Sequence, residues 1–174
     1  MKNLKLLALF CLLATCFASC KEDPKAEWEN FYGYTNDDII GSYSYSNIAD
    51  AFDGVEGSGR YACTDAEIDI RSYSGSSVEF SINCPGENFS RTLHGNPTPN
   101  DGDFMLRMSS GYIPSGDKYK AYNVTAYVMK NASQQLRIHG YASVNTYNIV
   151  EGEGGGQTYV QDDGIYYYFD MIKN

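Results

Sequence analysis

Residues 119–150 read YKAYNVTAYVMKNASQQLRIHGYASVNTYNIV, and this stretch decides the fold. Apolar side chains take alternate positions on either side of the polar segment 131–133. They are Tyr122, Val124, Ala126, Val128, Leu136, Ile138, Ala142 and Val144. A period of two is the pattern of a half-buried antiparallel strand. The stretch therefore predicts a long hairpin, with strands at about 119–130 and 135–150.

The same alternation continues on both sides of this hairpin. It predicts a second hairpin of 66–73 with 78–83 about a turn at 74–77, and a further strand at 104–109. A first strand at 39–46 and a last strand at 165–172 complete the set, with turns at 151–156 and 162–164 and one short helix at 47–52. We therefore expect an all-β, antiparallel, up-and-down domain of about 8–10 strands over residues 38–174.

The last strand favours a closed sheet. Its aromatic run, residues 166–169, would promote aggregation if it were left at an open edge. Pairing this run with the first strand removes that edge, which predicts a barrel; a β-sandwich is the alternative. Ile40-Gly41-Ser42-Tyr43 resembles the Gly-x-Trp opening of lipocalin-like barrels, with Tyr43 in place of Trp. This resemblance implies a calycin-like barrel.

The N-terminus carries a targeting signal. Lys2 and Lys5 precede an apolar run at 6–17, which at 1.5 Å per residue spans roughly 18 Å, too short for a bilayer core of ~30 Å. The run is typical of a signal peptide. The residues 17–20, FASC, resemble the lipobox of bacterial lipoproteins, which implies cleavage after residue 19 and lipidation of Cys20. Cleavage without modification is the alternative, and Cys16 is a poorer candidate.

The residues after Cys20 suggest a localisation signal. Lys21, Glu22 and Asp23 resemble the surface-export signal of Bacteroidetes lipoproteins, although a charged tether without address value is the alternative. The resemblance implies a lipid-anchored protein of the outer membrane, exposed at the cell surface. Several acyl chains at ~0.8 kcal/mol per CH₂ anchor a protein stably, so the membrane is the first expected partner. Residues 20–37 are expected to form the tether.

Charge and cysteine content narrow the function. Without the two lysines of residues 1–19, the chain has 11 basic and 22 acidic residues, a formal charge of −11. This charge argues against nucleic-acid binding, because phosphate contacts need a basic face. In an oxidising compartment, Cys63 and Cys84 are expected to form a disulfide, with two buried free thiols as the alternative. A kink near Thr64 must bring Cys63 back towards Cys84.

No motif predicts catalysis, a metal or a cofactor. The two histidines, His94 and His139, fall short of the three or four ligands of a zinc site, and we interpret both as residues of a sheet surface. The segment 100–103 resembles part of a calcium loop but lacks the acidic ligand at the far end. We therefore predict no metal, no cofactor and no catalytic residue.

Tyrosine is the unusual feature, at 16 of 174 residues. Its ring can be half-buried while its hydroxyl stays in water, so many of these rings are expected to cover strand faces. Tyrosine also stacks on sugars and anchors protein interfaces. We therefore favour non-catalytic binding of a small apolar ligand, a glycan or a host protein. An enzyme or enzyme inhibitor on the same barrel, and an accessory subunit of an outer-membrane complex, are the alternatives.

Overall fold

The computed structural model describes residues 27–48, 51–55, 57–97, 103–151 and 156–174. The predicted signal peptide, the lipidation site Cys20 and the export signal Lys21, Glu22 and Asp23 lie outside these ranges. The described elements are β1 (Glu29–Asn30), α1 (Asn36–Ile39), β2 (Gly41–Tyr45), β3 (Arg60–Ala62), β4 (Glu67–Ser72), β5 (Val78–Cys84), a 3₁₀ turn (Pro85–Glu87), β6 (Phe89–Gly95), β7 (Met105–Ser109), β8 (Ile113–Ser115), β9 (Lys118–Lys130), β10 (Leu136–Glu151) and β11 (Gln157–Lys173).

The prediction of an all-β, antiparallel fold is confirmed. The strands form one sheet in the order β1-β9-β10-β11-β2-β4-β5-β6, and β7 and β8 also pair with β9. Only β3 runs parallel to its partner, β11, among the described ladders. Within the described ranges, no helix is long and apolar enough to cross a membrane.

The sheet does not close into the predicted barrel. In the part of the chain that is described, no hydrogen-bonded ladder joins β6 to β7 or β9. Side chains bridge the two ends instead: the Arg91 guanidinium of β6 donates to the Tyr122 hydroxyl of β9 at 2.8 Å and lies 4.2 Å from the centre of that ring. This arrangement is consistent with the sandwich-like alternative, two halves of a curved sheet packed on a shared core.

The predicted partner of the last strand is confirmed, but its register is wrong. Strand β11 pairs antiparallel with β2 through its last three residues, so that Lys173 lies opposite Tyr43. The aromatic run that was expected there, Tyr166–Tyr168, pairs instead with Arg60–Ala62 of β3. A parallel strand from a distant segment covers this edge, which alternation in the sequence does not predict.

The core lies between the two halves of the sheet. The alternating residues of β9 and β10 face it as predicted, with Val124, Ala126, Val128 and Ile138 all buried. Large side chains fill the space between the halves. The most completely buried of them are Tyr34, Tyr43, Phe80, Phe169, Ile39, Ile68, Ile70, Ile82, Leu106, Ile138, Met171 and Val78. The interior is therefore packed with side chains of the chain itself.

Two local predictions are wrong. Residues 162–164 do not form a turn, because β11 runs through them and Asp162 is the extra residue of a bulge opposite Thr146 and Tyr147. The helix expected at 47–52 is not seen in the described residues of that segment, where 51–54 form turns. The helix is instead α1, where the Thr35 hydroxyl and the Asp38 carboxylate form a capping box.

Part of the segment expected to be a tether packs on the domain. Strand β1 pairs with the end of β9, and Tyr34 is 1% exposed, with its hydroxyl donating to the carbonyl of Pro97 at 2.8 Å. Burial raises the pKa of the Tyr34 hydroxyl, as does the nearby negative charge of Asp103. Residues 29–37 therefore belong to the packed structure, although they show no alternating pattern.

Candidate functional site: a tyrosine face on the long sheet

The tyrosines collect on one side of the longest strands. Side chains directly opposite one another in a ladder lie on the same face, so the pairs Tyr141–Tyr168 and Tyr119–Tyr147 point to the same side. This side faces away from the core. Tyr127, opposite His139, lies on this side as well. We call the seven other tyrosines on it the tyrosine face: Tyr112, Tyr119, Tyr141, Tyr147, Tyr159, Tyr166 and Tyr168. From Tyr141 to Ile149 it extends along β10 for about 27 Å, at ~3.4 Å per residue.

The rings of this face contact one another in two groups. In the group near the end of the hairpin, Tyr112 stacks on Tyr159 with 4.1 Å between ring centres and meets the edge of Tyr147 at 5.0 Å. Tyr119 belongs to the same group, since its ring centre lies 5.1 Å from that of Tyr159. Tyr112 is 49% exposed, so its outer surface is open to a ligand. The first group therefore presents an exposed ring on a rigid stack.

The second group lies nearer the body of the sheet. Tyr141 is 5.5 Å from Tyr166 and 5.6 Å from Tyr168, in edge and tilted arrangements. All three rings are half-buried. Offset and edge-to-face aromatic pairs add about 0.5–1.5 kcal/mol beyond their buried area, so these rings are held in place before any ligand arrives.

A polar notch separates the two groups. It is centred on Gly164, directly opposite Asn145. A Cβ built on Gly164 would lie 2.9 Å from Asn145 Oδ1, 3.1 Å from Gln161 Nε2 and 3.1 Å from the Tyr166 hydroxyl. Asn145 Oδ1 is buried and has no hydrogen-bond partner among the described residues. These three side-chain ends therefore fill the notch, and the unpaired oxygen of Asn145 is closed off from solvent between the aromatic groups.

A buried carboxylate lies at the other end of the same face. Asp170 is fully buried and receives two hydrogen bonds from Arg137, at 2.6 Å and 3.0 Å, and one from the Ser46 hydroxyl. His139 Nδ1 is 3.4 Å from Asp170 Oδ1. Burial by itself would raise the pKa of Asp170, but the approach of His139, the hydrogen bonds from Arg137 and Ser46 and the charge of Arg137 outweigh it and lower that pKa.

The Asp170 group connects strands rather than forming a catalytic triad. Ser46 donates to the aspartate and not to His139, whereas a hydrolase triad needs the serine on the histidine. The group joins β10, β11 and the residue after β2 on the outer side of the sheet. We therefore interpret it as an ion cluster that fixes the position of the last strand.

The other candidate residues lie apart from this face. His94 is 3.1 Å from Glu79 and stacks on Tyr73, on the outer side of β5 and β6. In the segment 100–103, which resembles part of a calcium loop, only Asp103 is described, and its carboxylate accepts from the backbone of Phe104 and from Arg107. Among the described residues, no group of three or more His, Cys, Asp or Glu side chains could hold a metal.

The disulfide between Cys63 and Cys84 is confirmed, with Cα atoms 5.6 Å apart. The expected kink is at Thr64 and Asp65, where the Asp65 carboxylate accepts from the backbone N–H of Gly86 at 2.7 Å. A hairpin of 66–73 with 78–83 about the turn at 74–77 would place Cys84 opposite residue 67, and this register is wrong by one residue, because Asn83 lies opposite Glu67. Both cysteines are buried in the core, away from the tyrosine face.

Sequence reasoning recorded the abundance of tyrosine but missed its arrangement. The signal was present in β10, where Tyr141, Asn145 and Tyr147 occupy the positions that alternate with the apolar ones. The contribution of β11 was hidden by the bulge at Asp162, which shifts the alternation by one residue. Comparison with known protein families, with characterised proteins and with solved structures finds no match, so the interpretation of this face depends on its own geometry.

Proposed function

We propose that this protein is a non-catalytic binding protein, anchored by lipid at Cys20 and displayed at the cell surface, and that the tyrosine face is its binding surface. The observation that carries the proposal is the collection of seven tyrosines on one side of the longest strands. Tyrosine provides large contact area at a low cost in conformational entropy, which suits a preformed binding surface.

Binding at an outer face is favoured over binding inside the sheet. Ligand-binding barrels hold an apolar ligand in an open interior, whereas the interior here contains Phe80, Phe169 and other large side chains. These side chains support an outer surface as the site. A small apolar ligand within the domain is therefore the least favoured of the ligand classes that the sequence suggested.

A second outer groove competes with the tyrosine face and is less well suited. It has a volume of about 360 Å³ and lies over β2, β4, β5 and β6. Two pairs of its polar side chains are already hydrogen-bonded: Ser42 with Asp69 at 2.9 Å and Ser44 with Asn174 at 2.6 Å. A ligand there would have to compete with these hydrogen bonds, whereas the tyrosine face offers aromatic surface that is already exposed, most of all at Tyr112.

Lipidation and export fit this proposal. The lipid at Cys20 would attach the chain to the membrane a few residues before the described domain. The signal peptide and the residues Lys21, Glu22 and Asp23 support display at the surface of an outer membrane. In that location the tyrosine face would be open to ligands in the medium.

The test is a binding screen with two matched variants. The chain from residue 21, which contains every described residue, is applied to immobilised oligosaccharides, a C16 fatty acid and the proteins fibronectin, collagen and mucin. The double variant Tyr112→Ala, Tyr159→Ala removes the exposed stack, and Tyr73→Ala removes an exposed, stacked tyrosine from another face.

The expected result is binding to at least one probe that the double variant loses and that Tyr73→Ala retains. Thermal melts by circular dichroism check that all three proteins are folded. Binding that survives in the double variant, or binding that only Tyr73→Ala loses, would move the site away from the tyrosine face and overturn the proposal. Failure of every probe would overturn it as well.

A further inference from the structure

We propose that two copies of this chain pair edge to edge through β11, with residues 157–161 of one copy running antiparallel to the same residues of the other. The inference goes beyond the proposed function, because it assigns a contact between copies and not a ligand of the tyrosine face. It depends on a free strand edge, on the lack of charge along that edge and on a sequence that is complementary to itself.

The free edge lies where the last hairpin extends past its neighbours. Strand β9 pairs with β10 only as far as Tyr119 opposite Tyr147, whereas β10 and β11 stay paired for four residue pairs more. On its other side, β11 pairs with β3 from Tyr166 onwards, where the backbone N–H of Tyr166 donates to the Gly59 carbonyl. Among the described residues, none pairs with the outer edge of 157–161. The backbone groups of this edge can therefore accept another strand.

This edge is open to solvent and carries no charge. Four of its five residues are exposed, and Val160 is 48% exposed. Residues 157–161 read QTYVQ, in a chain with a formal charge of −9. Natural proteins protect exposed strand edges with lysine, proline or a bulge, and this edge meets such a feature only at the bulge of Asp162. A regular, unprotected edge of this kind requires a strand partner.

The sequence of the edge matches a second copy of itself. A two-fold axis through Tyr159 places Thr158 of one copy opposite Val160 of the other, and Gln157 opposite Gln161. Threonine and valine are both β-branched and suit neighbouring positions on a sheet. The side-chain amides of two glutamines can donate to and accept from each other. The five residues are therefore self-complementary in this register.

The negative charge of the chain does not oppose this contact. In the register through Tyr159, Asp162 comes level with Gly156 of the other copy, and its carboxylate is already bound to Lys118 at 2.6 Å. Moving the axis to Val160 would place Asp162 opposite Thr158 instead. Since an acidic protein repels its own copies, the uncharged segment is where two copies can approach.

Pairing in this register joins the tyrosine faces of the two copies. Side chains directly opposite in an antiparallel ladder lie on the same side, so both copies of Tyr159 point to one face of a continuous sheet. The two-fold axis closes the contact at two copies. Because the paired segment is short, we expect a weak dimer with a Kd between about 1 μM and 1 mM.

The experiment changes the charge of the edge in matched variants. The like-charge variant, Thr158→Lys with Val160→Lys, places lysine opposite lysine across the axis. The opposite-charge variant, Thr158→Lys with Val160→Glu, places lysine opposite glutamate. The control, Ile113→Lys with Val150→Lys, adds two lysines at the same end of the sheet but away from this edge. All four side chains are exposed, so every variant should fold, which thermal melts by circular dichroism check.

Sedimentation velocity of the chain from residue 21, which contains every described residue, is recorded from about 1 μM to 1 mM. We expect the parent and the control to shift from monomer to dimer across this range. The like-charge variant should associate at least about 10-fold more weakly, because facing lysines repel, and the opposite-charge variant should recover the association.

Four results would overturn the proposal. A monomer at every concentration would leave the edge to a strand of a different protein. A dimer that the like-charge variant also forms, or that the control also loses, would remove the contact from the β11 edge. A dimer that both edge variants lose would reject the axis through Tyr159, and assemblies larger than two would reject the two-fold axis itself. Ligand binding by the tyrosine face is measured separately, so failure of the dimer and failure of the proposed function are distinguishable.

Discussion

Replacing Arg137 by methionine should cost the domain about 3–5 kcal/mol of unfolding free energy, which is the usual cost of leaving one partner of a buried ion pair alone. Asp170 is 0% exposed and the Arg137 side chain 12% exposed, so water cannot replace the two hydrogen bonds that the carboxylate loses. Ser46 and His139 remain beside it, so we expect a value near the lower end of that range.

The partner variants show whether the cost comes from the unpaired charge. The double variant Arg137→Met, Asp170→Leu removes both charges, and such replacements are commonly neutral or stabilising. We therefore expect it to be much closer to the parent than Arg137→Met alone, with a coupling energy of about 3 kcal/mol or more. Arg107→Met is the control, because Arg107 and Asp103 form an exposed pair at 3.3 Å that should contribute less than about 1 kcal/mol.

Urea unfolding of the chain from residue 21, followed by circular dichroism, measures these free energies. Equal costs for Arg137→Met and Arg107→Met would refute the reasoning, because the Asp170 cluster would then be as well solvated as a surface pair.

The pH dependence of stability provides a second check. The pKa of Asp170 is lowered in the folded state, so its stabilisation is present above the pKa of an unfolded aspartate, about 3.9, and is lost as the pH falls through the lower folded value.

Four further results are expected. Replacing Cys63 and Cys84 by serine opens a loop with a sequence separation of 21 residues and should lower the unfolding free energy by about 3 kcal/mol, measured by urea unfolding against the non-reduced parent. Mass spectrometry of the non-reduced parent should show the linked peptide, and free, alkylatable thiols in the parent would reject the bridge. Deleting residues 165–174 removes the buried part of β11 and should abolish the cooperative thermal melt; a melt near that of the parent would make this strand peripheral. Cys20→Ala should abolish acyl labelling and release the protein from the membrane fraction; continued labelling would reject the lipidation site. Alanines at 21–23 should leave lipidation intact but protect the protein from external protease; unchanged cleavage would reject the export signal.

The part of the fold that the sequence predicts well is local. Strands β9 and β10 are long, alternate regularly and are joined by a turn in which Asn131 Oδ1 accepts from the backbone of Ser133 and of Gln135 at 3.0 Å. The hairpin of β4 and β5 was equally clear, with Gly75 in the left-handed region of its turn. In both cases neighbouring residues determine the structure.

The part that the sequence does not predict depends on distant segments. The parallel pairing of β3 with β11 joins residues more than 100 positions apart, and no short-range pattern encodes it. The bulge at Asp162 was interpreted as a turn because Asp-Asp-Gly is typical of turns. Tyr34 is buried without any alternation around it, because a loop and not a strand brings it to the core.

The candidate site was predictable only in composition. Sixteen tyrosines indicated a recognition surface, and alternation along β10 was sufficient to place Tyr141 and Tyr147 on the outer face, although that inference was not drawn. The notch at Gly164 requires the register of β11 after the bulge, and the Asp170 cluster requires Arg137 and Ser46, which belong to different strands or their ends. Long-range register therefore limits what can be inferred about function from this sequence.

The pairing of β11 with β2 sets the order in which the chain can fold. Strands β9, β10 and β11 are consecutive and can form early from local contacts. Strand β2 can pair early with β4, but its other edge must wait for a partner about 130 residues further on. When the first half of the chain has left the ribosome, β11, which covers the open edge of β2, has therefore not yet been synthesised. The core is completed only when the last residues, including Met171 and Lys173, have emerged. A chain with this dependence cannot complete its core before its synthesis is finished, so the native fold forms only after the whole sequence has left the ribosome.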